Sequence, residues 1–328
     1  YIALQQLIKT AGKRGLQIQL AQDAAKTAEA QFRELMRNLH YLLVTDINNL
    51  SVLQTTQHLL ETEIAHAQAL SAGMDEMLKV GDISLKDNVR IKSLLYSLQS
   101  DYADNLRQQQ DLEKELRTLL GLRSSEALIA TVPQYDVAKL QALNMTALLD
   151  SAATRSDIAF ARSSLALQQH NLSYQKAMAV PDVTVGVDYD KASSYIPNYL
   201  GLQVNIPLPL FNKNRGNIAS ANWALRGAQA QLQQSQTQVQ NEVFSAYNKI
   251  KTLLNVQRSA GSWTADYERL LKSMVESYQQ RKVSLIEFID FFSSYKDTRL
   301  KQLQQQAALL NTVAELNYVT GSNLIPLK

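Results

Sequence analysis

Cysteine is absent from the 328 residues. No disulfide framework, thiolate metal site or cysteine nucleophile is therefore available. Proline (6) and glycine (11) are too scarce for a domain of many turns, so long helices are the natural reading. No run of about 18 apolar residues occurs, which excludes a membrane-spanning helix. Membrane-spanning strands remain open, because their pattern is much weaker. Charge of neither sign dominates: 33 basic residues face 30 acidic ones without a Lys/Arg block, so nucleic acid is not an expected partner. His40, His58, His66 and His170 lack metal spacing and read as surface or interface residues. There is no Ser/His/Asp set, glycine-rich phosphate loop or metal cluster. Neither an enzyme nor a cofactor is expected.

What is present is dominated by helical periodicity. Leu16 to about Lys79 holds no proline and no glycine before Gly73, and Leu35, Leu39, Leu43, Ile47, Leu50 and Leu53 recur at threes and fours. Such a helix would be roughly 95–100 Å long and must lie along other helices, as in a coiled coil. Val80-Gly81 breaks it. Ser84-Leu-Lys-Asp87 reads as a capping box opening a second helix to about Leu122. Shorter pieces follow over 123–150, then a helix over about 155–179.

Two stretches read as strands. Val183, Val185, Val187 and Tyr189 alternate with small and polar residues, as do Leu200, Leu202, Val204 and Ile206, predicting a hairpin over 183–206. Pro207 and Pro209 end the ladder, since neither donates a backbone hydrogen bond. A long helix then runs from Gly216 to about Gln280, with a soft spot at 259–262. Arg281 breaks it, and Ser284 with Glu287 reads as a second capping box before a last helix to about Val319. The chain opens at Tyr1, without Met and inside a strand. The first part of the native protein, with any targeting sequence, is expected to lie outside the sequence.

Strand, elbow, long helix, capped break and helix thus occur twice. Arg14-Gly15 matches Arg215-Gly216, and Ser84 with Asp87 matches Ser284 with Glu287, at spacings of 201 (216 − 15) and 200 (284 − 84). Duplication is the best account. A lone hairpin is unstable, and open edges are forbidden in a bilayer, so the strands should be closed by copies from other chains.

These residues resemble the TolC-like outer-membrane factors of Gram-negative export systems. The likeness covers essentially the whole chain. It is carried by the run Ile206-Pro-Leu-Pro-Leu-Phe-Asn-Lys-Asn-Arg-Gly-Asn-Ile218, by Thr10-Ala-Gly-Lys-Arg-Gly15, and by the paired breaks at Val80-Gly81 and Arg281-Lys282. The first elbow is most similar to the CzcC-like cation-efflux branch. The resemblance implies a mainly α fold of very long antiparallel coiled-coil helices in an α-barrel, with β-hairpin strands, four per chain, joining a shared twelve-stranded transmembrane β-barrel. The expected division is 1–122 as first repeat, 123–160 as equatorial element, 161–319 as second repeat and 320–328 as tail. It further implies a passive homotrimeric exit duct across periplasm and outer membrane, in contact with outer-membrane lipid. The expected partners are a periplasmic adaptor (membrane fusion) protein and an inner-membrane transporter such as an RND pump. The alternative is a soluble coiled-coil scaffold, for which an apolar hairpin has no use.

By the same resemblance, Asp87 and Tyr278 match positions that hold the periplasmic tip closed, and Glu287 and Asp290 match positions that ring its aperture. Val80, Gly81, Ser84, Arg281 and Ser284 form the tip turns and adaptor contact, while Arg14, Gly15, Pro207, Pro209, Arg215 and Gly216 form the strand–helix elbows. Two departures stand out: Val283 occupies a position often basic, and Arg281 replaces the glycine of the first turn. Asp87 and Glu287 are also explained as capping partners alone. Asp290, inside Phe288-Ile289-Asp290-Phe291-Phe292, should face water or a mate, because burying its charge unpaired is costly. Three copies of Glu287 and Asp290 near one axis would raise their pKa values and favour cations. Met74 and Met77 read as packing residues. Tyr189, Tyr195 and Tyr199 suit an interfacial girdle, or are simply good strand formers.

Overall fold

The computed structural model describes residues 1–191, 196–260, 269–270, 273–274, 277–278, 280 and 282–326. Three strands, β1 (Ile2–Ile8), β2 (Val183–Asp190) and β3 (Tyr199–Asn205), and seven helices are delimited among them: α1 (Lys13–Lys79), α2 (Leu85–Leu120), α3 (Val137–Gln141), α4 (Met145–Ala152), α5 (Ser156–Met178), α6 (Arg215–Ala260) and α7 (Leu285–Thr320). The expected run of the sixth helix on to Gln280 falls in part outside the described residues. No described helix is long and apolar enough to cross a membrane.

By contacts the chain forms two units, residues 1–36 with 150–241 and residues 37–149 with 242–328. The first unit holds an antiparallel sheet in the order β1-β2-β3. The register sets Leu4 opposite Val187 and Val187 opposite Leu202, with Gln5, Gly186 and Gln203 in the neighbouring row. The three strands expected in this sequence, the opening one and the 183–206 hairpin, are thus all delimited. Helix packing in this unit rests on small buried residues, Ala30, Ala161, Ala177 and Ala221, which allow close approach. Among the polar pairs between its helices, the His170 ring nitrogen Nδ1 hydrogen-bonds the buried Asp23 carboxyl.

The second unit buries three clusters; Val52, Leu303 and Leu310 form one, and the other two adjoin each other. Of these two, Leu60, Ala67, Leu98, Phe288, Phe292 and Tyr295 form the first, and Met74, Ile91 and Leu285 the second. Both draw on α1, α2 and α7 at helical spacing, the pattern of packed amphipathic helices. Between α2 and α3 the chain is extended. The Gln54 side chain clamps it, donating to the Leu128 carbonyl at 2.6 Å and accepting from the Ala130 N–H at 3.0 Å, which satisfies a backbone that has no ladder of its own. Asp136 caps α3 by accepting from the N–H groups of Ala138 and Lys139.

Candidate functional site

The sheet divides sharply by face. One face carries Ile2, Leu4, Ile8, Val183, Val185, Val187, Tyr189, Leu200, Leu202 and Val204, interrupted only by Gln6. The other carries Ala3, Gln5, Thr184, Gly186, Asp188, Asp190, Gly201, Gln203 and Asn205, with Leu7 and Tyr199 as its large apolar and aromatic residues. Alternate side chains of a strand must point to opposite faces, so the period-two pattern becomes two chemically different surfaces. The apolar one is uncovered in the single chain: Leu4, Leu200 and Leu202 expose 75%, 72% and 78% of their area. On the polar one, the Tyr1 hydroxyl donates to Asp188 Oδ1 at 3.1 Å and Gln5 Nε2 donates to Gln203 Oε1 at 3.1 Å. Of the expected girdle, Tyr189 donates to Asn198 Oδ1, Tyr199 is exposed, and Tyr195 lies outside the described residues.

The elbows fall in the two turn stretches expected from the sequence, but their strained backbone does not sit at Gly15 and Gly216. Gly15 and Gly216 sit within the first turns of α1 and α6, where a Cβ would meet nothing within 4 Å. The left-handed backbone falls instead on Ala11 and Gly12 at the first elbow and on Asn214 at the second. Lys13, almost wholly buried, donates to Asp182 Oδ1 and to the Val180 carbonyl, both at 2.6 Å, and Thr10 N–H donates to the same carboxyl. That lysine and these N–H and hydroxyl donors hold the Asp182 carboxyl below its usual range. At the second elbow Asn214 donates to the Gln175 carbonyl at 2.8 Å. Arg14, Arg215 and Pro207 are exposed, and Pro209 is half-buried.

At the turn after α1, Gly81 is left-handed, its N–H donates to the Leu78 carbonyl, and the Asp82 N–H donates to the Met77 carbonyl at 2.9 Å. This is the paired-bond ending that only a left-handed residue permits, and glycine adopts it without strain. Val80 projects into solvent. Before α7 the Lys282 N–H makes the corresponding bond to the Ser277 carbonyl, also at 2.9 Å, while Arg281 itself lies outside the described residues.

The two caps differ. Ser284 and Glu287 form the full reciprocal box: Glu287 N–H donates to Ser284 Oγ, and Glu287 Oε2 accepts from the Ser284 N–H at 2.9 Å. Ser84 likewise accepts from the Asp87 N–H, but Asp87 does not return to the Ser84 backbone; its carboxylate takes the Ser84 hydroxyl at 2.7 Å. The expected capping box at Ser84 is therefore only half built. Aspartate is one methylene shorter than glutamate and cannot span the gap. In the single chain the Ser284 N–H and hydroxyl hold the Glu287 carboxyl below its usual range, opposite in sign to what a ring of like charges would do.

Asp290 is exposed despite its apolar neighbours. Leu285, Phe288, Phe292 and Tyr295 turn inward at threes and fours, and residue 290 falls on the opposite side of that stripe. Tyr278 stacks on Phe288 with centroids 5.3 Å apart, and its hydroxyl ends at Met74 Sδ, 3.7 Å away. Burial raises its pKa, and the Asp87 charge raises it further, so the two residues are neighbours without a hydrogen bond between them.

One group in this region went unremarked in the sequence. Glu63 is 2% exposed, its Oε2 has no hydrogen-bond partner among the described residues, and burial pushes its pKa up to about 7. His66 Nδ1 approaches that oxygen to only 3.9 Å. No group of three side chains able to hold a metal occurs among the described residues.

The family described as Outer membrane efflux protein matches residues 148–322. The chain is 22% identical over 273 residues to the pyoverdine export outer membrane protein OpmQ of Pseudomonas putida, an alignment covering 80% of this chain and 57% of that protein. The chain thus spans little more than half the length of this curated relative. Among solved structures, a membrane protein from Pseudomonas aeruginosa superimposes with a TM-score of 0.82 at 16% identity, over 98% of this chain and 74% of the other. The Campylobacter jejuni CmeC outer membrane channel superimposes with a TM-score of 0.82 at 15% identity, over 97% and 70%. At such identities the likeness is one of fold: mainly helical with a small sheet, as in TolC-like channels.

Proposed function

The chain belongs to the outer membrane efflux protein family, and from that premise we propose that it forms the outer-membrane exit duct of a tripartite efflux or secretion system. The duct is a passive homotrimer in the Gram-negative outer membrane, with a large periplasmic portion. It works with a periplasmic adaptor and an inner-membrane transporter such as an RND pump, which supplies the energy and selects the cargo. No catalytic step is assigned to it.

The observation that carries this reading is the sheet. Its apolar face is exposed on β1 and β3 and half-buried at Val183 and Val185 of the middle strand, and among the described strands β1 and β3 leave hydrogen-bonding edges open. Water tolerates neither well, and a bilayer tolerates the first only when the second is abolished by closure. Strands from sister subunits satisfy both conditions in a shared barrel. The matching turn bonds from Asp82 and Lys282, residues 200 apart (282 − 82), support an internal duplication in the helical part. Within it, 123–160 reads as an equatorial element between two repeats. Asp87 and Tyr278 are proposed to hold the periplasmic tip shut, and Glu287 and Asp290 to line its aperture.

Expression in a Gram-negative host tests this. The account expects the protein in the outer-membrane fraction as a trimer that resists detergent until heated. Recovery as a soluble monomer without detergent would contradict it.

A further inference from the structure

The register sets Ile8 opposite Val183 and Thr184 opposite Asn205, so the end of β1, the start of β2 and the end of β3 form one rim of the sheet. Strands of seven residues rise roughly 23 Å, close to the height of the apolar band of membrane barrels. A sheet whose apolar face meets lipid therefore sets this rim at headgroup level. Three stretches of chain meet there, 9–17, 175–182 and 206–218. They hold six basic residues and one carboxylate, Asp182. Lys13 is buried against that carboxylate, which leaves Lys9, Arg14, Lys176, Lys213 and Arg215, all exposed. Lys9 donates to the neutral amide oxygen of Gln17 at 2.9 Å, and the other four have no ionic partner among the described residues. Like charges gathered without counterions repel, so the fold has to hold them in place. Two sets of bonds do so. Lys13 joins the first stretch to the second through Asp182 and the Val180 carbonyl. Asn214 joins the third to the second, donating to the carbonyl and side-chain oxygens of Gln175 at 2.8 and 3.0 Å. In the same loop as Lys213, Leu208, Leu210 and Phe211 expose 72%, 71% and 101% of their area. A tight turn at Pro209, in which the Leu210 N–H donates to the Leu208 carbonyl at 2.9 Å, sets the path of the chain through them.

We propose that this rim is a binding collar for anionic phospholipid, with Arg14, Lys213 and Arg215 on the headgroup phosphates and Leu208, Leu210 and Phe211 in the acyl layer. Fixed cations beside solvent-facing hydrocarbon complement the two halves of such a lipid, and the guanidinium fork matches phosphate oxygens in pairs. The inference rests on the duct reading, which sets the sheet in a bilayer, and adds to it which lipid the elbows select.

The test uses the full chain in proteoliposomes, with a bimane label at Phe211→Cys and, in a second sample, at Lys191→Cys beyond the far end of β2; no native cysteine competes. Brominated-acyl phosphatidylglycerol and brominated-acyl phosphatidylcholine, each diluted into unbrominated phosphatidylcholine, quench the label according to their occupancy beside it. At 211 the anionic lipid should be preferred about fivefold, the equivalent of one cation at an anionic surface, and at 191 the ratio should be near one. Arg14→Gln with Lys213→Gln and Arg215→Gln should bring the ratio at 211 to about one. Arg14→Lys with Lys213→Arg and Arg215→Lys should keep it, and 1 M salt should reduce it. Equal quenching by the two lipids at 211, or a preference that survives the glutamine variant, would overturn the collar and leave the duct reading standing. Absence of quenching by either lipid in the inserted protein would also overturn it, since a sister subunit would then cover the rim. Recovery of the protein outside the liposomes would contradict the duct reading and the collar with it.

Discussion

Gln5 and Gln203 meet across the full width of a strand. The Gln5 amide donates to the Gln203 carbonyl oxygen at 3.1 Å, although β2 runs between them, because the residue of β2 in that row is Gly186. A Cβ at 186 would come within 2.9 Å of Gln5 Cγ and 3.3 Å of the Leu4 carbonyl oxygen. Gly186→Val should therefore break the pair and lower sheet stability by about 1 kcal/mol, the order of one lost hydrogen bond. Gly15→Ala and Gly216→Ala, with open space in helical turns, should be neutral or stabilise by up to about 0.5–1 kcal/mol. Heat-modifiable mobility and thermal unfolding of the three variants separate these outcomes; equal behaviour would refute the role given to Gly186.

If Asp87 and Tyr278 hold the tip shut, Asp87→Asn and Tyr278→Phe should each raise single-channel conductance in planar bilayers, by about twofold or more if one lost contact of about 1 kcal/mol shifts the closed population. Because Asp87 also receives the Ser84 hydroxyl, Ser84→Ala serves as the control for a lost cap. A conductance rise in Ser84→Ala equal to that in Asp87→Asn would assign the effect to the cap and not to the gate.

Exposed carboxylates near a shared axis would enrich cations. Glu287→Gln with Asp290→Asn should reduce cation-over-anion preference, read as a reversal-potential shift toward zero in a salt gradient. The effect should shrink at high ionic strength, as screening requires. An unchanged reversal potential would remove both residues from the conduction path.

Glu63 makes folding pH-dependent. Its folded pKa of about 7 lies above its usual 4.5, so the folded state keeps the proton that the unfolded state has already lost. The penalty is absent below about pH 4.5, grows as pH rises and is complete above about pH 7, where it amounts to roughly 3 kcal/mol. Glu63→Gln should be more stable than the parent at pH 8 and should lose that advantage by pH 4.5. Parallel melting curves for the two proteins across that range would show that Glu63 is not buried as an isolated carboxyl.

The sequence made the elements legible wherever one physical requirement fixes one residue type. Period-two alternation at Val183–Tyr189 and Leu200–Ile206 predicted the hairpin, and Gly81 marked the left-handed helix end. The last helix was anticipated from Ser284 and Glu287. What escaped depends on tertiary partners. Lys13 resembles any solvated lysine beside Arg14 until Asp182, far along the chain, folds over it. His170 gains a meaning only from Asp23, and Glu63 only from its burial. The half-built cap at Asp87 shows a finer limit: a motif written as Ser-x-x-acid treats aspartate and glutamate alike, whereas one methylene decides whether the second bond forms.

The most direct test of the account is to measure which face of the sheet lipid touches. Spin labels at single cysteines replacing Val185, Val187, Leu200, Leu202, Gln203, Val204 and Asn205, in a chain that has no native cysteine to interfere, report oxygen and water-soluble nickel accessibility in proteoliposomes. The account predicts strict alternation: labels at 185, 187, 200, 202 and 204 accessible to oxygen and shielded from nickel, and labels at 203 and 205 the reverse. Uniform exposure to nickel along β2 and β3, or shielding from both reagents, would contradict a lipid-facing barrel wall.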